Sequence, residues 1–207
     1  HPGIPMALLS RGKAAVEAGD CEGAAATLEY IRKQYAGSEA ASGALYHLAL
    51  CDIRRGGYAE AIEKLGLFLR ESPESPLTGQ VYFKLATSHY ASGSRNLAAA
   101  NYALAAESAP DREMRYNALA NQARIYQELE EWQKAGDVWK SVAEQFPERE
   151  DIVETFFNLG FCYSQAGDFE LAWDVYSRIP AVALTEEQQG RAPVSYTHLR
   201  AHETKAN

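Results

Sequence analysis

The chain has 207 residues, of which 46% are hydrophobic and 23% charged, with a formal net charge of −8 at pH 7. This composition is typical of one or two folded domains and not of a disordered chain. An acidic chain without a basic block is a poor candidate for binding nucleic acid or anionic membrane surfaces. The sequence contains no apolar run long enough for a membrane-spanning helix, and three cysteines do not make a disulfide-built fold.

The two ends of the sequence differ from the rest. Residues 1–4 are predicted to form a leader in coil conformation, and no charged-then-apolar signal segment follows them. At the other end, the run from Val194 to Thr204 resembles a translated sequencing adapter. We therefore interpret residues 194–207 as a non-native tail and leave them out of the fold prediction.

A 37-residue period runs through the remaining sequence. The turn position of this period, as we call it, is occupied by Gly19, Gly56, Gly93, Glu130 and Gly167. Alanine stands five residues later in every unit, at Ala24, Ala61, Ala98, Ala135 and Ala172. One further position is always small (Gly12, Ala49, Ala86, Ala123, Gly160), and another is always large (Leu28, Leu65, Tyr102, Trp139, Tyr176). A fixed period of this length indicates a repeat architecture.

Each unit is predicted to be a helical hairpin. Leu45, Leu48 and Ala49 form an apolar stripe at helical spacing before the turn position, and a second stripe follows it. Glycine at the turn can end the first helix in the left-handed conformation, and the aspartate after Gly19 or Gly167 can cap the next helix. We place the five units at residues 5–41, 42–78, 79–115, 116–152 and 153–184, with a truncated sixth starting at 185–193.

The small and large positions predict how these helices pack. Glycine or alanine in the first helix is expected to face alanine in the second, because close helix approach requires small contact residues. The large residues are expected to fill the space between one hairpin and the next. A single hairpin cannot bury both of its faces, so the hairpins must stack.

These patterns resemble the tetratricopeptide repeat family. The resemblance rests on Gly160, Tyr163, the Gly167-Asp168-Phe169 turn, Ala172 and Tyr176, and equally on Gly56, Tyr58, Ala61, Phe68 and Pro73. It implies an all-α, right-handed α-solenoid over residues 5–184. The long linkers, such as residues 67–76, resemble those of bacterial cell-envelope tetratricopeptide proteins. The sequence departs from the pattern at Glu130, at Arg95 and at Asp52, which stands where Tyr126 and Tyr163 stand in other units.

The sequence gives little support for a catalytic site or a metal site. His198, His202 and Glu203 have a metal-ligand spacing but lie in the adapter-like tail. Cys51 and Cys162 occupy equivalent positions three units apart, roughly 30 Å at about 10 Å per layer, too far for a disulfide. We expect all three cysteines, Cys21 included, to be small buried residues. No phosphate-binding loop or nucleophile motif is present, so we predict a non-enzymatic protein without a cofactor or metal.

The resemblance also implies a binding groove, since the first helices of tetratricopeptide stacks line a concave surface. Residues beside the packing stripe would face this groove, where aromatic rings and arginine suit a peptide ligand. Some of these residues, Leu50, Ile53 and Phe161 among them, could equally pack between neighbouring first helices. The groove set is Tyr46, Leu50, Ile53, Arg54, Phe83, Thr87, Tyr90, Arg124, Gln127, Phe157 and Phe161.

Two functional hypotheses follow. The first is a protein- or peptide-binding scaffold in the bacterial envelope, in the periplasm or at the outer membrane, with a cytoplasmic location left open. The second is a recruiting or sensor module of a larger enzyme or regulator. Under either hypothesis the partner is a protein or peptide and neither nucleic acid nor inserted membrane, and self-association through the truncated C-terminal end is expected.

Overall fold

The computed structural model describes residues 3–179, and within that range it consists of ten α-helices without a β-strand. They are α1 (Gly3–Glu17), α2 (Cys21–Gln34), α3 (Glu39–Arg54), α4 (Tyr58–Glu71), α5 (Thr78–Ala91), α6 (Arg95–Glu107), α7 (Arg112–Glu128), α8 (Trp132–Gln145), α9 (Ile152–Ala166) and α10 (Phe169–Ser177). The helices follow one another as five hairpins. Helix α1 begins at Gly3, inside the coil leader that we expected, whereas the expected sixth unit and the tail lie outside the described residues.

The turn between the two helices of every hairpin has the left-handed conformation predicted for it. The backbone φ angle is 87° at Gly19, 78° at Gly56, 82° at Gly93 and 87° at Gly167, and Glu130 adopts 58° without being glycine. In each turn the following residue donates its N–H to a carbonyl five residues earlier, as in Glu131 to Tyr126 at 2.9 Å. This is the Schellman bond that closes a helix C-terminus, so all five turns are built alike.

The predicted aspartate caps are confirmed at one of the two turns. The side chain of Asp20 accepts a hydrogen bond from the N–H of Gly23 at 2.8 Å and thereby caps α2. Asp168 precedes α10 in the same way, but its side chain makes no capping hydrogen bond.

The chain divides into two compact units, one ending at Ala118 and the other beginning at Leu119, so that α7 contributes to both. The first unit contains two apolar cores. Val16, Leu28 and Ile31 belong to one of them, and Leu65 and Phe68 belong to the other.

The second unit buries Trp139, Phe157 and Tyr176 almost completely. Phe157 and Tyr176 pack with Ala172 and Ile179 in one cluster. This cluster packs the two helices of the fifth hairpin against each other.

Two of the small residues of the first helices, Gly12 and Gly160, face a large residue and not the alanine that we expected. A Cβ atom added at Gly12 would lie 2.6 Å from Leu28, and one added at Gly160 would lie 2.7 Å from the ring of Tyr176. In these two hairpins the large residue therefore fills space within its own hairpin. Glycine is needed at these two sites because the opposing side chain is bulky and buried.

Asp52, which departs from the repeat pattern, is stabilised by neighbouring cations. Its carboxylate is buried, and it accepts hydrogen bonds from Arg55 at 2.7 Å and from Lys64 at 2.6 Å. The two cations compensate the charge where other units carry a tyrosine.

The expectation that all cysteines are unpaired is wrong. Cys21, the first residue of α2, forms a disulfide with Cys51 in α3, with the two Cα atoms 5.5 Å apart. The bond joins the first hairpin to the second. Cys162 is free and buried, as predicted, and burial raises its pKa to about 12.

Candidate functional site

The first helices of the second and third hairpins, together with the start of α7, enclose a pocket of about 370 Å³ in the first unit. We call it the first-helix pocket. It is lined by Tyr46, Gln80, Phe83, Lys84, Asp111, Glu113, Met114 and Asn117. The structure therefore brings together Tyr46 and Phe83, two residues that the sequence placed in a groove.

Aromatic rings form the apolar part of this pocket. Tyr46 is half-buried and also packs against the core around Leu65, and burial raises the pKa of its hydroxyl. The ring of Phe83 meets Tyr102 edge-on at 5.1 Å between centroids. Because Tyr102 is buried, it holds the Phe83 ring in place, and a rigid aromatic surface favours binding of an apolar side chain.

Charged side chains complete the lining of the pocket. The Lys84 ammonium lies 6.0 Å from the centroid of the Phe83 ring, at the outer limit of a cation–π contact. Asp111 accepts a hydrogen bond from the N–H of Met114 at 2.8 Å and so caps α7 with one carboxylate oxygen. With Glu113 beside it, this side of the pocket is acidic and would attract a cationic group.

Three other predicted groove residues of the first unit serve packing and capping. Leu50 packs on the core around Leu28, and Ile53 packs on the core around Leu65. Arg54 donates a hydrogen bond to the carbonyl of Val16 near the end of α1. The packing interpretation of Leu50 and Ile53, which the sequence left open, agrees with these contacts.

Thr87 and Tyr90 lie one and two turns further along α5. The Thr87 hydroxyl donates to the Phe83 carbonyl at 2.9 Å and lies 3.3 Å from the hydroxyl of Tyr102. The guanidinium of Arg95 stacks over the Tyr90 ring at 4.0 Å. Both residues are thus engaged by their own hairpin.

The predicted site residues of the second unit make polar and aromatic contacts within that unit. Arg124 lies 3.4 Å from a carboxylate oxygen of Glu154 and 5.9 Å from the ring of Trp139. Gln127 lies close enough to Cys162 to lower the pKa of that thiol, against the larger effect of burial, which raises it. Phe161 meets Trp132 edge-on at 5.8 Å.

Phe157 must be removed from the groove set. It is only 1% exposed, and its ring packs 6.0 Å from that of Tyr176. Phe157 belongs to the buried cluster with Ala172, Tyr176 and Ile179, whereas Tyr46 and Phe83 are only half-buried.

Six pocket residues were not predicted. Gln80 and Lys84 lie on either side of Phe83 at helical spacing, so the sequence contained a signal for them. Asp111, Glu113, Met114 and Asn117 come from the linker and first turns of α7. Their contribution depends on the path of the linker, which the repeat period does not specify.

Three exposed apolar side chains lie on α10, the last helix of the described residues. Phe169 is 66% exposed, Leu171 51% and Trp173 38%. The self-association that the sequence predicts involves the C-terminal end of the chain, and it stays a prediction. Among residues 3–179, no helix has the length and apolarity needed to cross a membrane, and the same residues contain no metal-binding group of three or more His, Cys, Asp or Glu side chains. His198, His202 and Glu203 lie outside this range.

Comparison with solved structures defines the class of protein. The chain is similar to a crystal structure of the MamA protein (16% identity, TM-score 0.65, covering 86% of this chain and 90% of that chain). It is also similar to a Podospora anserina putative kinesin light chain with nearly identical TPR-like repeats (16%, 0.64, 86% and 94%). MamA from Desulfovibrio magneticus RS-1 gives similar values (15%, 0.62, 84% and 92%). The fold is therefore an all-α, TPR-like solenoid.

The family follows from the sequence itself. A family model described as YfiO, outer membrane lipoprotein, matches residues 3–150. This match covers more than half of the chain, and the chain belongs to that family. A search of curated proteins found no match. The resemblance to tetratricopeptide repeats agrees with this assignment. So does the resemblance of the long linkers to those of bacterial cell-envelope proteins.

Proposed function

We propose that this protein is a non-enzymatic scaffold of the bacterial envelope that binds an extended segment of a partner protein in the first-helix pocket. Solenoids of this class present surfaces for protein recognition. The family is one of outer membrane lipoproteins, and the proposal takes the envelope as the place of action.

The observation that carries the proposal is the pairing of Tyr46 and Phe83 in one pocket. Two aromatic rings from successive hairpins form a preorganised apolar surface, with one ring fixed by Tyr102. Recognition sites commonly combine such a buried aromatic centre with a polar rim. The acidic side formed by Asp111 and Glu113 favours a segment that has a basic residue next to its apolar anchor.

The disulfide gives independent support for an envelope location. Disulfides form and persist in oxidising compartments such as the periplasm and are rare in the bacterial cytoplasm. The Cys21–Cys51 bond is therefore in keeping with a protein that folds after export.

A peptide-array screen followed by anisotropy titration tests the pocket. Short peptides that pair an apolar residue with a basic one are screened for binding, and the best binder is labelled and titrated with each variant. We expect Phe83→Ala to weaken binding by about tenfold or more, because removal of a central aromatic residue typically costs more than 1 kcal/mol. Circular dichroism checks that the helices remain.

Tyr30→Ala is the matched control variant. Tyr30 lies on α2, a second helix, and is 50% exposed, so truncating it should leave peptide affinity unchanged. Equal affinity of the wild-type protein and the Phe83→Ala variant would place peptide binding elsewhere on the protein. Equal losses in both variants would indicate a nonspecific effect of removing an aromatic ring.

A further inference from the structure

The two cysteines of the Cys21–Cys51 disulfide differ in their exposure, although both pack on the same core. Cys51 is 3% exposed and belongs to the core that contains Val16, Leu28 and Ile31. Cys21 is only half-buried and is the first residue of α2, directly after an exposed turn. An attacking thiolate must reach the sulfur with which it forms a bond, so the buried side of the disulfide is protected by packing.

We propose that Cys21 is a thiol–disulfide exchange site, through which a dithiol–disulfide oxidoreductase forms and opens the bond to Cys51. This proposal rests on the disulfide and on its burial pattern, and it is independent of the first-helix pocket. The reaction partner is defined by chemistry, namely a protein or small molecule that carries an accessible disulfide for formation or a dithiol for opening.

The exchange proceeds in two balanced steps. The Cys21 thiolate attacks the oxidant disulfide, so that a mixed disulfide forms at Cys21 and one oxidant sulfur leaves as a thiolate. The Cys51 thiol then loses its proton to solvent and attacks Sγ of Cys21, which releases the second oxidant sulfur. Two electrons and two protons pass from the two cysteines to the oxidant, which becomes a dithiol. Opening is the reverse, with a dithiol attacking Cys21.

The position of the bond gives this exchange a structural consequence. The disulfide joins α2 to α3, and thus the first hairpin to the second. At the corresponding junction between α8 and α9, Trp132 and Cys162 occupy the equivalent positions and form no such bond. Exchange at Cys21 therefore makes or breaks a covalent link between the first two hairpins.

Reaction with oxidised glutathione distinguishes the two cysteines. In the full chain, Cys51→Ser leaves Cys21 as the available thiol, and Cys21→Ser leaves Cys51. We expect the Cys51→Ser variant to gain the glutathione adduct at least about tenfold faster, measured by mass spectrometry of quenched samples. The double variant provides the baseline, because it retains only Cys162, whose raised pKa and burial make it unreactive.

A second measurement on the unmodified protein covers the case in which a variant fails to fold. The oxidised wild-type chain is treated briefly with reduced glutathione, quenched in acid and mapped by peptide mass. Glutathione on the peptide that contains Cys21, with Cys51 as the released thiol, supports the proposal. Adducts on Cys51 at an equal or greater level overturn it, as does a wild-type protein that keeps three free thiols after oxidation.

Discussion

Replacing Glu130 by glycine tests the account of the repeat turns most directly. Glu130 has a φ angle of 58°, whereas the other four turn positions have glycine at similar positive angles. A left-handed conformation costs a non-glycine residue roughly 1–2 kcal/mol. Glycine removes that strain but increases the entropy of the unfolded chain, which offsets about 0.4–1 kcal/mol. We therefore expect Glu130→Gly to raise the free energy of unfolding by about 0.5–1 kcal/mol.

The turn geometry indicates that backbone conformation alone determines this effect. A Cβ atom added at Gly19, Gly56, Gly93 or Gly167 would meet nothing within 4 Å, so the turn position is open and side-chain packing plays no part. The hydrogen bonds around Glu130 match those of the glycine turns, with Glu130 donating to Gln127 at 3.1 Å and Glu131 donating to Tyr126 at 2.9 Å.

Thermal unfolding followed by circular dichroism measures the change, and the melting temperature should rise by about 1–4 °C for a chain of this size. Glu130→Ala is the matched control, because it removes the same charge but keeps the Cβ atom, and it should leave stability unchanged. Gly167→Ala should lower stability by a similar amount. Stabilisation by alanine equal to that by glycine would refute the backbone explanation and point to charge repulsion beside Glu131.

Three further predictions follow from the packing, the repeat equivalence and a buried imidazole. Gly160→Ala should lower the free energy of unfolding by about 1–3 kcal/mol in urea titration, because its Cβ atom would lie 2.7 Å from Tyr176; an unchanged midpoint would contradict this packing. Trp132→Cys should form a second disulfide with Cys162, leaving no free thiol in a denaturing titration; persistence of both thiols would contradict the equivalence. Burial, assisted by a nearby lysine, lowers the pKa of His47 below 6.5 in the folded protein. The unfolded chain therefore binds a proton at His47 more readily than the folded protein does, and the free energy of unfolding decreases as the pH falls below 6.5. His47→Gln should reduce this loss in melts at a series of pH values.

The hairpins and their turns could be predicted from the sequence because their determinants are local. A left-handed turn depends on one residue and its immediate neighbours. The recurrence of the turn position in five units was therefore sufficient to predict the turns. Even Glu130, the exception, keeps the turn, since the Schellman bonds on either side of it are still formed. Tertiary context overrides the local preference of a single residue there.

The site was predicted less completely, since it depends on contacts between units. The repeat period shows which residues are equivalent but not which positions touch across a junction. For this reason Cys51 was compared with its distant equivalent Cys162, whereas its actual partner is Cys21 in the neighbouring hairpin. Phe157 was wrongly placed in the groove for a different reason: Tyr176 and Ile179 of its own hairpin cover it, and the spacing of residues does not show that contact.

The disulfide also has a mechanical consequence. A solenoid pulled from its two ends extends as its hairpins unravel, and the length gained reports how much chain comes free. Cys21 and Cys51 are 30 residues apart in the sequence. Because the pulling force passes through the disulfide bond, the helical segments between the two cysteines bear no load. At about 3.3–3.6 Å per extended residue, the oxidised protein should yield roughly 100 Å less contour length than the reduced one. The segment between the two cysteines, which contains α2 and most of α3, thus becomes one that stretching cannot extend until the bond is reduced.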